Sequence, residues 1–145
     1  MARILIAGCG DIGAAAGRLL ADDGHDVVGL KRHPPANDNK IRYIEADLSH
    51  AGDLDRLDTR FDVVIYILTP GDRSEQSYRK VFELGVANLL NVFLLNNPDT
   101  RFIFISSTSV YGQTSGEWVD EASVTEPNSI TGRIILQAEQ TFLSH

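Results

Sequence analysis

One glycine pattern near the N-terminus restricts this chain more than any other feature. Gly8-Cys9-Gly10-Asp11-Ile12-Gly13 follows the apolar run Ile4-Leu5-Ile6-Ala7 and opens a small-residue, helix-prone segment from Ala14 to Leu20. A G-x-G-x-x-G between a strand and a helix has a definite physical use. Gly8 permits the tight turn, Gly10 lets a pyrophosphate approach the backbone, and Gly13 lets the helix pack close to the strand. The helix start, at Asp11, Ile12 and Gly13, then presents unpaired N–H groups and the positive end of its dipole. The pattern points to a dinucleotide site, with an ordinary strand–helix turn as the alternative.

Several other classes are disfavoured by composition. The net charge of −7 speaks against a nucleic-acid-binding surface. No apolar stretch approaches the roughly 20 residues that span a bilayer, and the N-terminus has no cleavage-site pattern. The single cysteine, Cys9, rules out an intrachain disulfide, so a cytoplasmic setting is expected. Within the glycine turn, Cys9 reads as a tolerated small residue rather than a redox group. His25, His33, His50 and His145 lack ligand spacing, so no metal site is expected. A length of 145 residues suits one domain with a substantial core.

The next strand, Asp26 to Leu30, ends in Lys31-Arg32-His33. A site for NAD usually places a carboxylate here, on the ribose 2′-hydroxyl. Cationic groups attract a 2′-phosphate instead, and Arg can bind it bidentately. Lys31 and Arg32 therefore favour NADP over NAD, a solvated basic loop end being the other reading. Ile41 to Ala46 alternates as a third strand and ends in Asp47-Leu48. Asp47 could accept a hydrogen bond from the adenine amino group, or cap a short helical segment from Ala51 to Leu57.

Phe61 to Leu68 is nearly continuous and β-branched, as a central strand buried on both faces would be. It ends at Thr69-Pro70-Gly71, at the edge where open α/β sheets bind ligands. Asp72 and Glu75 resemble a capping box for a helix reaching about Leu95. Tyr78, Val81, Phe82, Gly85, Leu89, Val92 and Phe93 form one apolar face, and Leu84, Leu90, Leu94 and Leu95 a second. Two such faces call for two partners, the sheet and either a second subunit, as in a homodimer through residues 75–95, or a segment outside this chain. A fifth strand, Arg101 to Ile105, leads into Ser106-Ser107-Thr108-Ser109. These hydroxyls, near the expected nicotinamide, could hold a substrate oxygen, with Ser106 and Thr69 against the cofactor, or simply form a turn. Residues 113–129 read as a polar loop with Trp118 as its anchor, and Thr131 to Leu143 as a last helix. The order of elements predicts one α/β domain over residues 1–145: a doubly wound parallel sheet, strand order 3-2-1-4-5, with helices on both faces.

These motifs together resemble an extended short-chain dehydrogenase/reductase of the NAD-dependent epimerase/dehydratase family. Gly8-x-Gly10-x-x-Gly13, Asp47-Leu48, Gly85-x-x-Asn88-Leu89-Leu90, Ser106-Ser107-x-x-Val110-Tyr111-Gly112 and Glu121…Pro127 carry the likeness. Gly24-His25, Gly116 to Glu121 and Gly132-Arg133 look most like its YeeZ-like branch. The resemblance implies a Rossmann fold, a dinucleotide cofactor, and Ser107 in place of the family's catalytic Ser or Thr. It also implies a Tyr-x-x-x-Lys pair whose two places fall here on Thr131 and Ile135, so that Tyr111 would be a displaced proton donor. Family members continue into a smaller substrate domain, so the chain is expected to be the N-terminal portion of a longer one. Two functions lead: a binding protein for NADP(H) without hydride chemistry, or an oxidoreductase or epimerase acting on a sugar nucleotide or small carbonyl compound; a subunit whose long helix mainly mediates dimerisation is a third.

Overall fold

The computed structural model describes residues 1–145. Five strands, β1 (Arg3–Ala7), β2 (Asp26–Lys31), β3 (Arg42–Glu45), β4 (Val63–Tyr66) and β5 (Arg101–Phe104), form one parallel sheet in the order β3-β2-β1-β4-β5. Helix α1 (Asp11–Asp22) covers one face. Helices α2 (Glu75–Arg79), α3 (Val86–Asn96) and α4 (Ile130–Leu143) lie on the other. The expected architecture and strand order are present.

Strand alternation divides the core. Leu5, Ala7, Val28, Leu30, Val64 and Tyr66 face a cluster of 20 buried residues that includes Phe82, Leu89, Phe93, Ile134, Ile135 and Phe142. Ile4, Ile6 and Val27 instead join Cys9, Ala14 and Ile41 beneath α1. Gly17 makes that contact close: a Cβ there would lie 2.8 Å from Ile41 Cδ1. Strand β4 is fully covered on one side only, since Val63 and Ile65 are half-buried. No helix lies over the neighbouring part of β5, where Ile103 and Ile105 are exposed.

The long helical segment departs most from its sequence pattern. Its N-cap is Ser74, not Asp72: Ser74 Oγ accepts from the Ser77 N–H at 3.1 Å. Asp72 instead accepts from the Ser74 N–H at 2.8 Å, making the turn that delivers Ser74 in an extended conformation. Glu75 pairs with Arg79 one turn on rather than closing a capping box. Between α2 and α3 the helix widens into a π turn, Lys80–Gly85. Inside that turn the buried Tyr66 hydroxyl donates to the Val81 carbonyl at 2.6 Å. The extra residue rotates the register, so Val86 and Leu90 enter the core beside Leu89 and Phe93. Leu90 therefore does not belong to a second outward face, whose exposed members are Leu84 and Leu95.

Trp118 is not an anchor either, because its side chain is fully exposed. Its loop is fastened by polar bonds instead: Tyr111 OH to Asp120 O at 2.9 Å, and Asn128 Nδ2 to Gly112 O at 2.9 Å.

Gly85 has no room for a methyl group, since a Cβ would sit 2.6 Å from the Tyr66 hydroxyl oxygen. Gly85→Ala should therefore destabilise by about 1–3 kcal/mol through overpacking, despite alanine's better helix propensity. In a Tyr66→Phe background, where that oxygen is gone, the same change should cost far less. Urea unfolding of the four-member cycle measures this, and equal costs in both backgrounds would refute the clash.

Candidate functional site

The carboxyl ends of β1, β2, β3 and β4 open onto one cleft of about 580 Å³. Its centre is the turn between β1 and α1. Gly8 has φ +89°, and a Cβ there would lie 2.7 Å from Leu68 Cγ, so both backbone and space demand glycine. Gly13 meets Ile6 Cγ2 at 3.0 Å by the same measure, which brings α1 down on β1. Gly10 differs. A Cβ there would meet nothing of the protein closer than 4.0 Å, so packing does not require this glycine. Its missing side chain leaves the backbone bare toward the cleft, which is what a close-lying pyrophosphate needs. No side chain caps α1 at Gly10, so the first-turn N–H groups at Asp11, Ile12 and Gly13 have no partner from a cap. The residues present thus fit a dinucleotide phosphate.

Cys9 is turned away from this opening. Its buried thiol packs over Gly29, 3.8 Å from the Tyr43 hydroxyl. Burial pushes the thiol pKa up, and the Tyr43 phenol is pushed up to about 12, mainly by the same burial. Neither is ionised near neutral pH, as a structural role requires.

At the end of β2, Lys31, Arg32 and His33 line the cleft. Basic residues near the opposite edge of the strands are held in ion pairs, as Arg3 is with Asp26 and Asp58. Lys31 and Arg32 have no carboxylate within 4 Å. The nearest acid downstream, Asp38, is committed elsewhere: it takes Arg18 at 2.9 Å and the N–H groups of Lys40 and Ile41. Those bonds, the backbone N–H of Lys40 first, hold its carboxyl below the usual range.

Asp47 lies in the cleft at the end of β3 with Leu48. Its Oδ1 accepts from the Ser49 N–H at 2.9 Å and the Ser49 hydroxyl at 2.6 Å. It therefore fastens its own turn rather than the short 3-10 helix Ala51–Leu54, whose N-cap is His50. Its Oδ2 faces Lys80 Nζ at 3.5 Å. Burial raises the Asp47 pKa, but the Ser49 bonds and the Lys80 charge outweigh it and hold the group below the usual range. Thr69 closes the β4 side of the cleft.

The structure thus gathers Gly8, Gly10, Asp11, Ile12, Gly13, Lys31, Arg32, Asp47, Leu48 and Thr69 around one opening. Ser106, Ser107 and Tyr111 line a separate hollow beyond β5, with Phe104 and Glu139. Ser106 Oγ donates to Glu139 Oε2 at 2.8 Å, tying β5 to α4. Ser107 Oγ accepts from the Ser109 N–H at 3.2 Å and caps a 3-10 turn, Thr108–Val110. Thr131 is half-buried at the start of α4, and Ile135 is buried in the core. Lys80, Val81 and Gly85 also line the cleft; the sequence reading placed Val81 and Gly85 on an apolar helix face rather than in the site and did not name Lys80. All three lie on the π turn, Lys80–Gly85.

Comparison with known proteins agrees with this geometry. Residues 4–133 match the sequence profile of the NAD-dependent epimerase/dehydratase family. D-erythronate dehydrogenase of Haemophilus influenzae is 32% identical over 112 residues, covering 74% of this chain and 35% of that protein. A Methylobacillus flagellatus structure assigned to the NAD-dependent epimerases/dehydratases superposes with TM-score 0.81 at 29% identity, over 99% of this chain and 51% of its own. UDP-glucuronic acid 4-epimerase from Bacillus cereus, in complex with NAD, gives TM-score 0.76 at 26% identity, over 95% and 50%. The chain spans about half the length of those structures and a third of the dehydrogenase. With its fold, glycine loop and nearly full-length profile match, the chain belongs to the NAD-dependent epimerase/dehydratase family.

Proposed function

We propose that residues 1–145 form a dinucleotide-binding unit that prefers NADP(H) to NAD(H) and lacks the family's Tyr-x-x-x-Lys pair. The observation that carries the preference is the unpaired cationic corner at Lys31 and Arg32, with Asp38 withdrawn to Arg18. Gly8, Gly10 and the α1 N-terminus hold the pyrophosphate through backbone N–H groups. Lys31 and Arg32 take the 2′-phosphate, Arg32 with the bidentate geometry a guanidinium allows. Asp47, Leu48 and Thr69 line the nucleoside ends.

A bound nicotinamide supplies hydride acceptance and donation. The accompanying proton needs a group that ionises near neutral pH, and the two places given by the resemblance do not offer one. Thr131 shares a hydroxyl contact with Ser129 at 3.2 Å, and Ile135 is aliphatic and buried. Tyr111 donates its phenolic hydrogen to the Asp120 carbonyl, so it must break that bond to serve a substrate. Binding without turnover is therefore the reading the geometry supports best. It includes a cytoplasmic setting, and a homodimer that would cover Leu84 and Leu95.

One observation keeps an active oxidoreductase as the second reading: the Haemophilus influenzae relative at 32% identity is a dehydrogenase. Ser107 would then hold the substrate oxygen, with the substrate a sugar nucleotide or small carbonyl compound.

Calorimetric titration with NADPH and then NADH tests the first reading. Charge-assisted bonds to one phosphate contribute about 1.5–3 kcal/mol, so NADPH should bind about 10- to 100-fold more tightly. Lys31→Ala with Arg32→Ala should erase the difference and leave NADH binding unchanged. Equal affinities in the unmodified chain would refute the preference. For the second reading, turnover of a carbonyl substrate that Ser107→Ala abolishes with NADPH affinity intact would establish an enzyme. Turnover indifferent to Ser107→Ala would remove that residue from the chemistry.

A further inference from the structure

Strands β2 and β3 are joined by residues 32–41 without a helix between them. A parallel connection that short has no helix to pack it on the sheet, so other contacts must hold it. Here α1 supplies two ion pairs. Arg18 Nη2 reaches Asp38 Oδ2 at 2.9 Å, and Lys40 Nζ reaches Asp22 Oδ1 at 2.5 Å and Oδ2 at 2.7 Å. Arg18 and Asp22 stand one turn apart on α1 and so share a face. Asp38 is the only carboxylate in the connection, and its side chain is 3% exposed. Its Oδ1 accepts from the N–H groups of Lys40 and Ile41, and the Tyr43 hydroxyl donates to its Oδ2 at 3.5 Å. Tyr43 lies in turn against Cys9 of the glycine turn. The charges of Lys31, Asp38 and Arg18 all reach the Cys9 thiol, so the clasp and the basic corner share one electrostatic neighbourhood.

Arg18 is the one cation paired with that carboxylate. Lys40 is committed to Asp22, and neither Lys31 nor Arg32 has a carboxylate within 4 Å. Without Arg18 the two backbone N–H groups would still hold Asp38 in place, with its charge uncompensated. A charge closed off from water is poorly screened, so it would cancel part of the field that draws a 2′-phosphate to Lys31 and Arg32. NADH has no phosphate there and would hardly feel the change. We propose that Arg18 is a positioning residue for cofactor choice: by holding and neutralising Asp38, it leaves Lys31 and Arg32 as the net charge of the corner. The inference rests on the NADP(H) reading above.

Titrations of the full chain with NADPH and NADH at low salt test this. Arg18→Met should weaken NADPH binding about three- to tenfold, the scale of one poorly screened charge several ångströms away, and leave NADH affinity unchanged. The loss should shrink as salt rises. Arg18→Lys keeps the charge and should restore most of the preference. Asp38→Asn removes the negative charge and keeps the Oδ1 acceptor for Lys40 and Ile41. In that background Arg18→Met should cost no preference, whereas a role in packing alone would lower it in both. If Arg18→Met leaves the ratio of NADPH to NADH affinity unmoved, or moves it equally in the Asp38→Asn background, the assignment of Arg18 is wrong while the NADP(H) reading stands. If the unmodified chain binds the two cofactors alike, or neither, that reading falls and takes the inference with it.

Discussion

Two hydrogen bonds on one carbonyl hold the arrangement on which the rest depends. The N–H groups of Gly8 and Cys9 both donate to Leu30 O, at 3.0 and 3.1 Å. The chain leaving β1 can reach back to β2 in this way because Gly8 takes a positive φ that other residues avoid. That bend sets α1 over the sheet with its N-terminus at the carboxyl edge, and it fixes the end of β2 beside the loop. Lys31 and Arg32 thereby come to lie next to the bare backbone of Gly10. The glycine loop and the basic corner are two consequences of one turn.

A second constraint acts on the other face. Tyr66 ends β4 with its hydroxyl buried, and a buried hydroxyl must find a partner. It finds the Val81 carbonyl, and the helix opens into a π turn around it, with Gly85 leaving space for the oxygen. This turn swings Lys80 and Val81 toward the cleft and sends Val86 and Leu90 into the core. The same residue that closes the core beneath β4 thus shapes the far wall of the site. Burial keeps the Tyr66 phenol protonated, its pKa raised well above the ordinary value, so the donor is present at any ordinary pH.

What could be read from the sequence follows from how local its cause is. Strand order and the glycine loop were legible because alternation, β-branched runs and G-x-G-x-x-G act over a few residues. The cleft side of the site was legible for the same reason, since Lys31, Asp47 and Thr69 each follow directly on a strand. Long-range partners defeated the reading elsewhere. Leu90 reads as outward on a regular wheel, and only the contact between Tyr66 and Val81 brings it inward. Lys80 carried no signal, because its aim depends on the same π turn. Ser74 displaced Asp72 as the cap through a local choice between two adjacent polar residues that spacing does not rank. Trp118 reads as buried from its size, yet its loop is secured by hydrogen bonds to Asp120 and Gly112.

The two halves of the site also differ in how easily a sequence can lose them. The grip expected on the pyrophosphate rests partly on glycines that the core itself requires, as the Gly8 and Gly13 contacts with Leu68 and Ile6 show, and partly on Gly10, which packing does not require. Folding alone accounts for Gly8 and Gly13 but not for Gly10. The two places that the resemblance gives to an acid–base pair lie on α4, a helix kept in place by Ile134, Ala138 and Phe142 and by the bond from Ser106 to Glu139. Isoleucine at position 135 adds to that packing instead of opposing it. Residues that pack well at these places therefore preserve the fold, and the cleft at the carboxyl ends of β1 to β4 stays open.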